Sequence, residues 1–119
     1  MESFDAIVVG AGPAGGQCAR ELAHSGKKVL LSEKNRDFSV NNYSSAGAPL
    51  ELMEMFALPE SIVSASWNKI MMHSSHEKKV WEAPERKGVI MDFMKLRGFL
   101  ADEVIKQGGE VRLGFSYQK

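Results

Sequence analysis

Phe4-Asp5-Ala6-Ile7-Val8-Val9-Gly10-Ala11-Gly12-Pro13-Ala14-Gly15-Gly16 decides the fold of this chain. An apolar run opens into three glycines at the G-x-G-x-x-G spacing, and a helical stretch then leads to a second apolar run, Val29-Leu30-Leu31-Ser32, closed by Glu33. Each part has its own physical job. Gly10 lets the backbone turn sharply off the first strand, and Gly12, lacking a Cβ, lets a pyrophosphate approach the main chain. Gly15 lets the helix pack closely on the strand. Pro13 and Ala14 open that helix, where proline's missing N–H is not needed and the N-terminal amides meet phosphate charge. Glu33 is placed to accept hydrogen bonds from the hydroxyls of an adenosine ribose, and its charge disfavours a 2′-phosphate. Lys34 and Arg36 beside it soften that exclusion. FAD or NAD is therefore favoured over NADP.

Outward from this unit the periodicity continues. Strands are expected over Asp5–Val9 and Lys28–Ser32, with a helix over Pro13–Ser25 and Gly26 as its C′ residue. From Lys34 to Gly47 the pattern dissolves into Asn, Asp, Ser and Gly and reads as a loop. Leu50, Met53, Phe56 and Ala57 then mark a short amphipathic helix that stops before Pro59. Trp67–Ser74 and Lys79–Ala83 predict a β-hairpin around His76-Glu77-Lys78, on which Trp67 and Trp81 pack across strands, and Gly88–Met91 extends that small sheet. Phe93, Leu96, Phe99, Leu100, Val104 and Ile105 give the apolar stripe of a longer helix, ended by Gly108-Gly109. Glu110–Phe115 is the next strand, expected to pair parallel beside the second through a right-handed crossover. The fold class is α/β: a partial Rossmann-like FAD/NAD(P)-binding fold with an inserted hairpin or small sheet, truncated, and with the edge of its first strand open to self-association.

The chain has 119 residues, enough for one core, with 15 basic and 15 acidic residues interspersed to a formal charge of zero. Nothing in that balance suggests nucleic acid as a partner. The single Cys18 excludes an internal disulfide and fits a reducing compartment. No apolar run is long enough for a transmembrane segment, and the first strand begins too early for a signal peptide. A cytoplasmic location is expected, with peripheral membrane association left open for a complete protein. His73 and His76 have no third ligand near them, so no metal site is assigned. Glu51 and Glu54 read as helix surface. The seven methionines read as core filling, with a soft prenyl pocket as the alternative.

These residues together resemble the N-terminal segment of FAD-dependent oxidoreductases of the geranylgeranyl reductase family, a branch of the p-hydroxybenzoate hydroxylase fold group. The resemblance covers nearly the whole chain. Besides the glycine turn and the Val29–Glu33 strand, Gly88-Val89-Ile90-Met91-Asp92, Phe99-Leu100-Ala101 and Gly108-Gly109-Glu110-Val111 are similar to the family's G-x-x-x-D-R…F-L-A…G-A-x-V segment. The chain departs from it in two places. Phe93 stands where the family has arginine, and Arg97 follows one turn later, as a solvated or dipole-pairing side chain or as a group within reach of a phosphate. Asn41–Ala48 replaces a Cys-Gly or Gly-Glu-Gly element, with Ser44–Gly47, including Ser45, as its positional counterpart.

The resemblance implies FAD as cofactor, with Gly10, Gly12, Pro13, Ala14, Gly15, Glu33, Lys34, Ser45 and Arg97 as candidate contacts and no assigned catalytic residue. It implies residues 1–119 as the N-terminal part of the FAD-binding domain, with an excursion over about 34–91 and without the later Gly-Asp motif or the substrate domain. The activity implied for a complete protein is reduction of prenyl C=C bonds, the isolated chain being inactive. Two rival readings stand beside it: a non-enzymatic nucleotide-binding or assembly module, and the NAD-binding domain of a dehydrogenase.

Overall fold

A computed structural model describes residues 1–118. The chain divides into two compact units, one formed by residues 1–43 and 94 onward, the other by residues 44–93.

The first unit is built on β1 (Ala6–Val9), α1 (Pro13–His24), β2 (Val29–Glu33), α3 (Phe93–Lys106) and β8 (Glu110–Leu113). Its three strands are parallel in the order β1-β2-β8, with Val8 beside Leu31 and Leu31 beside Val111. That is the pairing the sequence predicts for its third strand. Central β2 is buried along its whole length, as a parallel strand covered on both faces must be, and this explains its unbroken apolar run. β1 alternates instead: Val8 packs on the core, while Ile7 and Val9 are exposed. Asp5 ties the strand starts together, its carboxylate accepting from the Lys28 amide at 2.8 Å. The core comprises Ala11, Ala19, Ala23, Val29, Leu31 and Val104. Small alanines on α1 allow close helix–sheet contact, and Gly16 lets Leu100 of α3 approach α1 so closely that a Cβ there would lie 3.0 Å from the Leu100 Cβ. Arg20, buried in the same contact, pairs with Glu103 at 3.7 Å and lies 5.1 Å from the Phe99 ring centroid. On α3, Leu96, Leu100 and Val104 are buried as the stripe predicts, but Ile105 faces solvent.

The second unit differs from the expected hairpin-plus-extension. β3 (Gly47–Pro49), β7 (Gly88–Met91) and β4 (Val63–Trp67) form an antiparallel sheet with β7 at its centre, while β5 (Lys69–His73) and β6 (Lys78–Glu82) form a separate hairpin. The run Trp67–Ser74 is thus two strands broken at Asn68, not one. Trp67 belongs to β4 and covers Gly88, where a Cβ would meet the indole at 2.1 Å, so it does not pair with Trp81 across the hairpin. Trp81 sits opposite Ile70. α2 (Glu51–Met55) buries Met53 and exposes Glu51 and Glu54. Of the methionines, Met53 and Met91 are core, whereas Met55, Met71, Met72 and Met94 are exposed, which corrects their reading as core filling. No helix among the described residues is long and apolar enough to cross a membrane.

Candidate functional site

The three glycines of the turn sit in three different settings. Gly10 has φ +97°, a conformation that strains any L side chain. Gly15 is held against the turn itself: a Cβ there would lie 1.9 Å from the Gly10 carbonyl oxygen. Gly12 is different. Its φ of −73° and ψ of −179° suit any residue, and a Cβ there would meet nothing within 4 Å. Neither packing nor backbone geometry asks for glycine at position 12, so the open space in front of it is free for a ligand to approach the main chain.

Gly12 is the N-cap of α1, Pro13 follows in the first turn, and no side chain caps the helix or places a carboxylate there. Pro13 and Ala14 are exposed. The positive end of the α1 dipole and its leading amides therefore face outward, as an anionic group requires.

Glu33 stands at the carboxyl end of β2, buried, with both oxygens engaged: Oε2 accepts from the Ala11 amide at 3.0 Å and Oε1 from the Asn35 amide at 2.9 Å. Burial pushes its carboxyl up, but the Asn35 and Ala11 amides, helped by the charges of Arg97 and Lys34, outweigh burial and hold it below its ordinary 4.5. Each oxygen keeps a lone pair, so the carboxylate can still accept from a diol. A lowered folded-state pKa means that Glu33 contributes stability above its unfolded value, and that this contribution is lost as pH falls through the folded value. Glu33→Gln should therefore be less stable than the natural chain at pH 7, with the gap narrowing as pH drops below about 4.5. Urea unfolding at a series of pH values reads this directly, and a gap that stays constant down to acid pH would contradict it.

A cavity of about 260 Å³ lies at this end of the sheet, between Val9, Gly10, Glu33, Lys34, Phe115 and Tyr117. It is below the size of pockets that enclose a whole drug-sized ligand, and suits part of one. The aromatic pair was not singled out from the sequence, because nothing local marks residues beyond a strand end as facing a preceding strand. Backbone pairing brings Phe115 there, the Gly114 amide donating to the Asn35 carbonyl and the Phe115 amide to the Glu33 carbonyl, both at 2.8 Å, and Tyr117 follows two residues later.

Arg97 is not solvated. It is 5 % exposed, its Nη2 donates to the Phe38 and Val40 carbonyls at 2.7 Å and to Asn42 Oδ1 at 2.5 Å, and its guanidinium carbon lies 5.5 Å from the Phe38 ring centroid. The segment after β2, read as an unpatterned loop, is thus held from within the first unit. Asn42 completes it, its Nδ2 donating to the Phe38 and Ser39 carbonyls at 2.9 Å. The structure brings Gly10, Gly12, Pro13, Ala14, Gly15, Glu33, Lys34 and Arg97 into this unit. Ser45 belongs to the second unit, where it is exposed just before β3.

A parallel β-α-β unit with a glycine turn, an outward helix N-terminus and a carboxylate closing the second strand defines a dinucleotide-binding domain. The chain belongs to the pyridine nucleotide-disulphide oxidoreductase family, whose model matches residues 4–108. Among curated relatives it is 33% identical to a digeranylgeranylglycerophospholipid reductase of Haloferax volcanii, over 93% of this chain and 27% of that protein. It is 30% identical to the enzyme of the same name from Methanosarcina acetivorans, over 92% of this chain and 28% of that protein. Among solved structures, a geranylgeranyl bacteriochlorophyll reductase-like protein of Thermoplasma acidophilum superposes with a TM-score of 0.86 at 23% identity, covering 96% of this chain and 30% of that one. The expected resemblance to geranylgeranyl reductases and the α/β dinucleotide fold are borne out. The chain spans less than a third of the length of each of these relatives.

Proposed function

We propose that this chain supplies the ADP half of an FAD site in an oxidoreductase whose complete form reduces prenyl C=C bonds, and that residues 1–119 are the N-terminal part of its FAD-binding domain, with an excursion over about 34–91. The observation that carries the reading is Gly12. It is a glycine the fold does not require, set at an uncapped helix N-terminus within the same turn whose Ala11 amide engages Glu33. In this reading the α1 amides take the pyrophosphate, Glu33 takes the adenosine ribose, and Lys34 lies beside it. Arg97 acts as a positioning residue, because its Nη2 is already engaged by the 38–42 segment. The bound flavin would supply the hydride chemistry, and the protein's part is to bind, orient and exclude water. The names of the Haloferax and Methanosarcina relatives support a prenyl substrate for the complete protein.

Titration of the purified chain with ADP tests the half-site. Glu33→Ala removes a charge-assisted acceptor worth about 1.5–3 kcal/mol, so ADP affinity should fall about 10- to 150-fold. Unchanged affinity would remove Glu33 from the ribose site, and no ADP binding by the natural chain would sink the proposal. The choice of cofactor is read from absorption: flavin bands in any longer product of the same gene support FAD. A flavin-free product that binds NAD would instead support a pyridine-nucleotide domain.

A further inference from the structure

We propose that two copies of this chain pair through the outer edge of β6, antiparallel and centred on Val80, so that two hairpins join into one continuous sheet. β5 and β6 form a sheet of their own, and among the described residues neither has a second strand partner. Ile70, Met71, Met72, Val80 and Trp81 are all exposed on it. Directly paired residues share a face, so Ile70 and Trp81 lie on one side of the hairpin and Met71 and Val80 on the other. A lone two-stranded hairpin is marginal in water and gains stability from further strands or from a covering layer. Apolar side chains on both sides favour further strands, because an added strand gives both sides new neighbours and a covering layer only one.

Backbone alternation fixes which groups face the free edge. The Ala83 amide donates to the Asn68 carbonyl at 2.9 Å and the Ser74 amide to the Glu77 carbonyl at 2.8 Å, so Lys79 and Trp81 are the β6 residues that turn their backbone groups toward β5. Lys78, Val80 and Glu82 turn theirs outward. Two-fold antiparallel pairing about Val80 then sets Lys78 opposite Glu82 of the second copy and Glu82 opposite its Lys78, each as a hydrogen-bonded pair of opposite charge. Between them Lys79 comes opposite Trp81 of the second copy, a combination the single chain already favours, with Lys79 Nζ 5.2 Å from its own Trp81 centroid. Lys69 pairs with Glu82 at 3.1 Å within the chain, so the row across the joined sheet alternates: Lys69, Glu82, then Lys78 of the second copy. The equivalent pairing on β5, about Met71, would set Lys69 opposite His73, with no carboxylate in that strand to offset either. Charge complementarity therefore selects β6. One five-residue strand from each copy falls short of the roughly 1,200 Å² that stable complexes bury, so the dimer should be weak and concentration-dependent.

Sedimentation equilibrium of the purified chain over a range of concentrations reads the dimer. Lys78→Glu sets two carboxylates opposite each other at both ends of the pairing, and Glu82→Lys sets two ammonium groups there. Each variant alone should dimerise about 5- to 100-fold more weakly than the natural chain. Mixing the two variants restores opposite charges at both ends, and the mixture should recover most of the natural affinity as a heterodimer. That recovery also shows that both variants are folded. A natural chain that stays monomeric up to millimolar concentration overturns the proposal. Dimerisation unaltered in both variants overturns it too, and would move the contact to another edge, such as that of β1. Weakening in each variant with no recovery in the mixture overturns the pairing of Lys78 with Glu82 on which the register about Val80 rests.

Discussion

Gly15→Ala is expected to lower the melting temperature of this chain by about 6–10 °C, whereas Gly12→Ala, three residues away, is expected to leave it almost unchanged. The two positions differ in what a single methyl group would meet. At Gly15 it would lie 1.9 Å from the Gly10 carbonyl oxygen and 3.1 Å from its carbon, both backbone atoms that cannot rotate aside. Gly10 itself is held at φ +97° and hydrogen-bonded to the Ser32 carbonyl at 2.7 Å, so relieving the clash disturbs the β1–β2 pairing. Overpacking of this kind costs about 3 kcal/mol, against about 1 kcal/mol gained from alanine's helix propensity, leaving a net loss of about 2 kcal/mol. At Gly12 the methyl would meet no protein atom within 4 Å, and the effect on stability should stay within about 0.5 kcal/mol.

The same pair separates fold from function. Gly12→Ala places a methyl group where the proposed pyrophosphate approaches the main chain, so ADP affinity should fall by about tenfold or more at unchanged melting temperature. Calorimetric melts and ADP titrations on both variants give a crossed result: Gly15→Ala loses stability, Gly12→Ala loses ligand. A stable Gly15→Ala chain would contradict the close contact. A destabilised Gly12→Ala chain would mean that the protein itself occupies the space assigned to the ligand.

The β1-α1-β2 unit and β8 were legible because their signals are local or short-range: an apolar run, a glycine spacing, a helical stripe and a Gly-Gly stop. The second unit was less legible. Val63–Trp67 reads Val-Ser-Ala-Ser-Trp, too polar and small to mark a strand, and Gly47–Pro49 is three residues long. Both exist as strands because β7 pairs with them from a distant part of the sequence, and pairing partners leave no local trace. The candidate site divides the same way. The glycine turn and Glu33 are marked by residue type and spacing, whereas Phe115 reaches the cavity through contacts of the chain with Glu33 and Asn35, and Tyr117 follows two residues later. Arg20 and Arg97 share a further reason. Arginine is read as surface by default, and only the carboxylate, rings and carbonyls gathered around these two make burial favourable.

Arg97 therefore has the second large expected effect, because its guanidinium organises a segment that has no secondary structure of its own. Arg97→Ala removes the donor shared by the Phe38 and Val40 carbonyls and Asn42 Oδ1, and with it the cation lying against the Phe38 ring. Hydrogen bonds to a charged group contribute about 1.5–3 kcal/mol each when buried, but Val40 and Asn42 are exposed and water can replace part of the loss. A net destabilisation of about 2–3 kcal/mol follows, with Arg97→Lys recovering part of it, since an ammonium carries the charge but not the planar fork. Stability alone would not separate an organising arginine from any other buried side chain. The Glu33 carboxyl does, because Arg97 is one of the charges that hold it low. In both Arg97→Ala and Arg97→Met the Glu33 titration, followed by carboxyl NMR, should move upward, while in Arg97→Lys it should stay close to the natural position. The acid side of the stability profile then shifts with it: the contribution of Glu33 is lost at higher pH, as the folded pKa approaches the unfolded one. An unmoved Glu33 titration in Arg97→Ala would show that Arg97 serves the 38–42 segment alone and has no electrostatic hold on the carboxylate at the end of β2.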